Sequence, residues 1–346
     1  MKERKINIEF LRIFAMFLTI MLHVSNIYRK SFVDISSLDY YISLLYNSIS
    51  RICVPLFFMI SGMFLIKEEF DFKKYLKRIK RFIIVLIVWS LIYYLIKYHH
   101  NISETFLEFV VNSFFNTNFT AKHLWFMYAI ISLYIALPFV QNMCKNMTVE
   151  QENLFMILWA LFSGFSFVYL PFAEGILGYS VKVTYPVPII NGTYYLGYFV
   201  LGHILSKRFR GVNFTKKHNI FCIGLYIVST VVISIMAYFF SNLYNEVYEY
   251  SLWYRGVFAI VATGSIFSLI IGNSDKFKNK FILKLSSLSF GVYLIHIIFL
   301  NMFADNFDII SYNPLICIPL LTIVVFLLSL GSSYIIKKIP LIKNII

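Results

Sequence analysis

The sequence has few charged residues and few cysteines for its length. Only 14% of its 346 residues are charged, 59% are hydrophobic, and the mean hydropathy is +0.74. Soluble domains carry about 25% charged residues, so this scarcity excludes an ordinary soluble protein and indicates a polytopic membrane protein. The four cysteines show no pair at redox or metal-site spacing, which argues against a disulfide framework. They are Cys53, Cys144, Cys222 and Cys317.

The sequence also shows no soluble second domain, no low-complexity tract and no short repeat. We therefore predict a single all-α transmembrane domain over residues 1–346. About ten apolar segments approach the roughly 20 residues that a membrane-spanning helix needs. The predicted spans are residues 7–28, 41–66, 82–98, 123–143, 154–171, 187–206, 218–240, 255–272, 283–303 and 314–336. The sixth is the weakest, because Gly192, Gly197 and Gly202 interrupt it.

Lysine and arginine are distributed unevenly between the two sets of predicted loops. If the N-terminus is cytoplasmic, the inside loops and both termini hold 23 of these cations and the outside loops hold 5. Cytoplasmic loops of membrane proteins collect Lys and Arg, so the distribution predicts that both termini are cytoplasmic. The net charge of +14 is then mainly an orientation signal. A nucleic-acid partner is not expected, because that function would need a soluble basic domain.

Two ionisable residues, Arg12 and His23, lie inside the first predicted span. A charge near the centre of a span costs roughly 2.5 kcal/mol or more, and such residues usually mark function. Eleven helical steps return to within roughly 20° of the starting direction and rise about 16 Å, so both residues lie on one stripe. The alternative is that Arg12 reaches back to the cytoplasmic interface while His23 only fills a packing position.

Three histidines are predicted at one depth, in the outer half of the membrane. His23, His123 and His296 belong to three different spans, and Arg51 lies near the middle of a fourth. Tyr293 is three residues before His296 and shares a helix face with it. These residues are candidates for a buried reaction centre. The alternative is a polar seam that joins helices.

The sequence does not predict a metal site. His99 and His100 are adjacent in a predicted loop, but neighbouring residues rarely present two ligands to one ion without a third nearby. We therefore expect no metal cofactor.

The predicted cytoplasmic segment 67–81, KEEFDFKKYLKRIKR, contains seven cations in fifteen residues. Two of them are arginines one helical turn apart, and guanidinium groups bind phosphate through two parallel hydrogen bonds. This pattern favours a phosphate-rich cytosolic ligand, whereas the alternative is a basic loop that contacts anionic lipid. The candidate ligand-binding residues are Lys74, Lys77, Arg78, Lys80 and Arg81.

Five strings of the sequence resemble the acyltransferase-3 family of integral membrane acyltransferases, and the resemblance extends over about residues 7–300. The most discriminating element is the R-x10-H pair of the first span, and RIKR is the next. The five strings are LRIFAMFLTIMLHVSN, VPLFFMISGMFL, RIKR, HLWFMYAIISLYIALPF and SFGVYLIH.

The resemblance implies roles for these residues. His23 would be catalytic, Arg12 its essential partner, and Arg78 with Arg81 a contact for an acyl-coenzyme A donor. Family members often have Asp before the first-span arginine, and here Glu9 keeps that charge. The resemblance implies acetyl as the acyl group, with succinyl as an alternative, and an acceptor hydroxyl outside the cytoplasm. A surface polysaccharide, peptidoglycan, a teichoic acid, a lipid-linked sugar and a small molecule are all open as acceptors.

The chemistry that follows is acyl transfer across the thickness of the plasma membrane of a bacterium. A neutral imidazole is suited to take the proton of an acceptor hydroxyl, so His23 is the expected general base. Arg51, Tyr293, His296 or backbone amides are the candidate donors to the oxyanion. Direct transfer is preferred to an acyl-histidine intermediate. A transporter or flippase, and a ligand-binding membrane domain without catalysis, are the alternative functions.

Overall fold

The computed structural model describes residues 6–31, 34–67, 70–98, 106, 109, 121–165, 195–249, 252–340 and 345. Every regular element in these ranges is helical, which confirms the predicted all-α class. The α-helices are α1 Ile6–Ser31, α2 Leu38–Ser50, α3 Cys53–Leu65, α4 Phe72–Tyr98, α5 Trp125–Asn146, α6 Val149–Trp159, α7 Leu196–Arg208, α8 Lys216–Tyr244, α9 Val257–Ile271, α10 Phe281–Ser286, α11 Ser289–Asn306 and α12 Pro314–Lys338. A 3-10 turn at Lys122–Leu124 leads into α5.

Six stretches in the described residues are long and apolar enough to cross a membrane. The other predicted spans correspond to the shorter helices α6, α7, α9 and α11, and two of them extend into residues 166–194, outside the described residues. The multi-pass class is therefore confirmed, whereas the number ten and the cytoplasmic termini stay predictions. The six stretches are Ile6–Ser31, Leu38–Leu65, Phe72–Tyr98, Lys122–Asn146, Lys216–Tyr244 and Pro314–Lys338.

Helix α1 lies at the centre of the packing. It contacts α2, α3, α9, α10, α11 and α12. Of its most apolar 18-residue window 67% is buried, against 33% for α4 and 28% for α12. Most of α1 is therefore packed against other helices, where a buried charged group can find partners, whereas the described residues leave most of α4 and α12 uncovered.

The second predicted span is two helices rather than one. Helix α2 ends at Ser50 and α3 begins at Cys53, so Arg51 lies at the break instead of within a continuous helix. Pro55 explains the position of the break. Its ring would collide with the Arg51 carbonyl in a continuous helix, and it has no N–H to donate there. Arg51 therefore projects its guanidinium group from the junction between two helices.

Glycines permit α3 and α7 to pack at short distance. A Cβ atom added to Gly62 would lie 1.7 Å from the Phe199 carbonyl oxygen, and one added to Gly202 would lie 2.1 Å from that of Met59. Small residues allow helix backbones to approach in this way in membranes. Gly202, one of the glycines that make the sixth predicted span weak by hydropathy, is thus part of this close helix contact, whereas Gly192 lies outside the described residues.

Candidate active site

The three histidines that the sequence predicts at one depth form a cluster, which we call the histidine cluster: His23, His123 and His296. The ring centroids of His23 and His296 are 5.3 Å apart, and those of His123 and His296 are also 5.3 Å apart. His123 and His296 are buried, whereas His23 is half-buried. The cluster therefore reaches from the protein interior to a position that a ligand can approach at His23.

His296 is held in one orientation by its own helix. Its Nδ1 atom lies 2.7 Å from the Tyr293 carbonyl oxygen and 3.2 Å from that of Val292. A carbonyl only accepts hydrogen bonds, so we assign the proton to Nδ1. The Nε2 atom is then an acceptor, and it is buried without a hydrogen-bond partner. A neutral His296 can accept a proton but has no N–H left for an oxyanion.

His123 is positioned by two tyrosines. The Tyr293 hydroxyl donates to the His123 carbonyl oxygen at 2.8 Å, and the Tyr93 ring packs 5.0 Å from the His123 ring. The Tyr93 hydroxyl donates to the Leu294 carbonyl oxygen at 2.7 Å. Because a hydroxyl has a single proton, that of Tyr293 is committed to backbone. The geometry makes Tyr293 a positioning residue, which removes it from the expected donors to the oxyanion.

Arg51 reaches toward the histidine cluster from the break between α2 and α3. Its Nε and Nη2 atoms donate to the Asn47 side-chain oxygen, the former at 2.9 Å, and its guanidinium lies 5.6 Å from the centre of the Tyr254 ring. Its charge is within electrostatic range of His23. Among the described residues no carboxylate forms an ion pair with Arg51. It is therefore the cation best placed to meet negative charge near the histidines.

Arg12 occupies the other end of the α1 stripe and is paired. Its Nη1 atom lies 3.1 Å from a Glu9 carboxylate oxygen, and the Ser286 hydroxyl donates to the same carboxylate. The Glu9 side chain is buried, and the Arg12 guanidinium packs over the Phe64 ring at 5.1 Å. The Arg12 side chain is nevertheless 33% exposed. This geometry is compatible with both predictions for Arg12, a functional role and a position that reaches back to the cytoplasmic interface.

Arg12 comes together with the two arginines of the RIKR string. The guanidinium groups of Arg12, Arg78 and Arg81 all lie within electrostatic range of the Tyr134 hydroxyl on α5. We call these three residues the arginine cluster. Arg78 is half-buried and Arg81 is exposed. Three guanidinium groups from α1 and α4 therefore lie around Tyr134, and Arg12 among them is about 16 Å along α1 from His23.

The three lysines predicted to share this site lie on the exposed face of α4. Lys74, Lys77 and Lys80 are all exposed, and Lys74 forms an ion pair with Asp71. Because they are exposed, we expect any part they play in ligand binding to be through long-range charge.

The comparison with protein families settles the class of the protein. The Acyl_transf_3 family model, described as an acyltransferase domain, matches residues 5–337. The chain belongs to this acyltransferase-3 family. It is therefore a multi-pass membrane acyltransferase, as the R-x10-H and RIKR motifs indicate. No curated protein and no solved structure matches the chain.

For this acyltransferase-3 member, the described residues contain no group of three His, Cys, Asp or Glu side chains arranged to hold a metal ion. His99 and His100 lie outside the described residues. In the histidine cluster the rings lie side by side, and the Nε2 atoms of His123 and His296 are buried without a hydrogen-bond partner.

The sequence reasoning missed several residues of the site. Asn47 orients Arg51, Tyr254 packs against it, and Tyr134 lies among the three arginines. Asn47 is four residues before Arg51, so helical spacing was a usable signal. Tyr254 and Tyr134 come from distant segments, and nothing in their local sequence separates them from the other tyrosines.

Proposed function

We propose that this acyltransferase moves an acyl group, acetyl in the first instance, from cytosolic acyl-coenzyme A to a hydroxyl group of an acceptor outside the cytoplasm. The acceptor class is a surface polysaccharide or another envelope glycan, and the membrane is the plasma membrane of a bacterium. The main support for the proposal is that each cluster includes one residue of α1, Arg12 in the arginine cluster and His23 in the histidine cluster, and that these two residues are about 16 Å apart along the helix.

The arginine cluster supplies the donor site in this proposal. Coenzyme A has its phosphates at one end and its thioester at the other. Arg78 and Arg81 contact the phosphates, and the exposed lysines of α4 raise the local concentration of the anionic donor. The pantetheine arm then extends past Arg12 toward the histidine cluster. A basic loop that only sets the orientation in the membrane does not require Arg78 and Arg81 to lie near Arg12, which is on another helix.

His23 is the general base. The acceptor hydroxyl oxygen attacks the thioester carbonyl carbon while the hydroxyl proton passes to His23. The carbon–sulfur bond then breaks, and the coenzyme A thiolate takes the proton from His23. Arg51 or backbone amides stabilise the oxyanion of the tetrahedral intermediate. We prefer direct transfer to an acyl-histidine intermediate, because donor and acceptor approach His23 from opposite directions.

Acyl transfer by purified protein tests this function. The protein in lipid nanodiscs is incubated with acetyl-coenzyme A labelled in the acetyl group, with and without glycan acceptors, and free thiol and labelled acceptor are measured. We expect acetyl transfer or slow acetyl-coenzyme A hydrolysis, abolished in His23→Ala and retained in His218→Ala. His218 is an exposed histidine at the start of α8, so its variant makes the same chemical change away from the cluster.

Two results would contradict the proposal. If His23→Ala retained full activity, the histidine cluster would not be the reaction centre. If vesicles took up a glycan intermediate without loss of acetyl from the donor, the protein would act as a transporter or flippase instead.

A further inference from the structure

A second polar network lies next to the histidine cluster, and Arg51 is its one member that takes part in the steps above. It consists of Asn26 and Arg29 on α1, Asn47 and Arg51 at the end of α2, and Glu249 in the segment that follows α8; Lys30 joins it at the surface. The network holds three cations and one carboxylate, and only Arg29 and Lys30 form ion pairs with that carboxylate. The network therefore has two positive charges more than it can neutralise itself.

Arg29 is buried with an unused donor. Only 1% of its side chain is exposed, and its Nη2 atom donates to the Asn26 oxygen at 3.0 Å and to Glu249 at 2.9 Å. Its Nη1 atom is buried and has no hydrogen-bond partner. A buried charge with an unsatisfied donor is costly, so its persistence calls for a partner that is present only in a complex.

The position of Glu249 shows that this network binds a carboxylate. One of its carboxylate oxygens binds both Arg29 at 2.9 Å and Lys30 at 2.8 Å. Burial acts to raise the pKa of Glu249, but the hydrogen bond from Lys30 and the charge of Arg29 outweigh burial and lower the pKa to about 2. The Glu249 side chain is 45% exposed, so the oxyanion that occupies this network is reachable from solvent.

Arg51 carries the second excess positive charge, and it packs against one of two stacked aromatic rings, those of Tyr254 and Trp125. Tyr254, over which its guanidinium packs, stacks on Trp125 with ring centroids 5.9 Å apart and planes 25° apart. Trp125 is two residues after His123. Arg51, Tyr254, Trp125 and His23 are all half-buried. A sugar ring packs its C–H face on aromatic rings, so a glycan lying here would have both Arg51 and His23 beside it.

Resting on the proposed function, we infer that this network is an acceptor subsite for an oxyanion on the glycan, with Arg51 as its main contact and the free Nη1 donor of Arg29 as its second. A uronic-acid carboxylate and a backbone phosphate present the same chemistry, namely two or more oxygens that a guanidinium group binds in parallel. The acceptor would thus be an acidic glycan rather than a neutral one.

Direct binding without a donor tests the inference. The protein in nanodiscs of zwitterionic phosphatidylcholine is titrated with an oligogalacturonate, an oligo(glycerol phosphate) and a neutral galacto-oligosaccharide of equal length. We expect one or both acidic probes to bind about tenfold tighter than the neutral probe at low salt. The probe that binds tighter identifies the oxyanion as carboxylate or phosphate.

Two variants with opposite expected effects on the affinity for acidic probes separate this role from a merely structural one. Arg51→Gln should abolish the preference for acidic probes, while Lys97→Gln, which removes a cation at the end of α4, should keep it. Glu249→Gln removes the internal competitor and frees Arg29, so it should bind acidic probes several-fold tighter. A loss of structure weakens binding, so tighter binding in Glu249→Gln is a gain that misfolding does not produce.

Equal affinity for acidic and neutral probes in the unmodified protein would overturn the inference, as would weaker acidic binding in Glu249→Gln. Because no acyl donor is present, the outcome is independent of catalysis. If acidic probes bind preferentially and no acyl transfer occurs, the subsite stands and the proposed function fails.

Discussion

The histidine cluster and the arginine cluster differ in how their side chains are held. His296, Tyr293 and Tyr93 each direct a polar atom to a backbone carbonyl, and His296 is fully buried. In the arginine cluster Arg81 is exposed and Arg78 is half-buried. The side chains of the first region are held in place by the protein itself, whereas those of the second are cations that, in the proposed function, attract the acyl-coenzyme A donor by charge. Fixed geometry lowers the barrier of a reaction. Exposed, flexible cations can attract and follow a polyanionic head group.

The largest effect should come from removing the free acceptor atom of His296. Asn at this position keeps an N–H donor for the Tyr293 and Val292 carbonyls but has no counterpart of Nε2. We expect His296→Asn to lower kcat about 100-fold if the histidines act together in proton transfer, with donor affinity unchanged. Steady-state kinetics in nanodiscs measure this. An unchanged kcat would show that His296 only fills space.

The close contact between α3 and α7 should be sensitive to added volume. Gly62→Val places atoms where the Phe199 carbonyl lies, whereas nothing lies within 4 Å of a Cβ atom at Gly224. We expect Gly62→Val to reduce the free energy of unfolding by about 3 kcal/mol, the upper range of overpacking, and Gly224→Val to have little effect. Thermal unfolding in detergent measures both. Equal shifts for the two variants would contradict the close contact.

Substitutions in the arginine cluster should lower the affinity for the donor rather than kcat. We expect the double variant Arg78→Ala/Arg81→Ala to weaken acyl-coenzyme A binding about tenfold or more, with the loss reduced at high salt. The matched double variant Lys77→Ala/Lys80→Ala removes the same charge from the exposed face and should cost only about two- to threefold. Calorimetry with acetyl-coenzyme A measures both. Unchanged affinity in the arginine variant would exclude the donor role.

Tyr293→Phe should have a moderate effect confined to the histidine cluster. It removes the hydrogen bond to the His123 carbonyl, which contributes about 1 kcal/mol and positions that histidine. We expect kcat to fall a few-fold while the affinity for the donor is unchanged. A change in donor affinity instead of kcat would mean that the two regions are not separate.

The smallest effect should be the dependence of stability on pH through Glu249. Its pKa is lowered to about 2, against about 4.3 in an unfolded chain. The resulting stabilisation is complete above about pH 5 and is lost as the pH falls through the folded pKa. Between pH 5 and 8 the difference in melting temperature between the unmodified protein and Glu249→Gln should therefore be constant and small, because the carboxylate is 45% exposed. A difference that varies across this range would contradict the ion pairs with Arg29 and Lys30.

Much of this arrangement could be predicted from the sequence because membrane spans obey strong constraints. Hydropathy located most helices, and the scarcity of charges made Arg12, His23 and Arg51 conspicuous. The break at Arg51 was missed, although Pro55 was visible, because hydropathy does not register a helix interruption. The commitment of the Tyr293 hydroxyl to the His123 carbonyl depends on packing between α11 and the start of α5. Local spacing contains no information about such a contact.

The network of Arg29, Asn26 and Glu249 was also missed, for a different reason. Arg29 follows the first span and was counted as a loop cation, since sequence position alone does not distinguish an exposed arginine from a buried one. Its burial results from the segment after α8, more than 200 residues away in sequence, folding over the end of α1.

Acyl transfer across the membrane tests the central claim most directly. Protein reconstituted in one orientation in vesicles, established by protease access to the lysine-rich segment 67–81, is given labelled acetyl-coenzyme A only on the side of that segment and a glycan acceptor only on the other. We expect labelled acceptor on the opposite side, dependent on His23 and on the arginine pair Arg78 and Arg81. If the acceptor on the opposite side stays unlabelled, and labelling appears only when the acceptor is moved to the donor's side, the two clusters are not the ends of one reaction path.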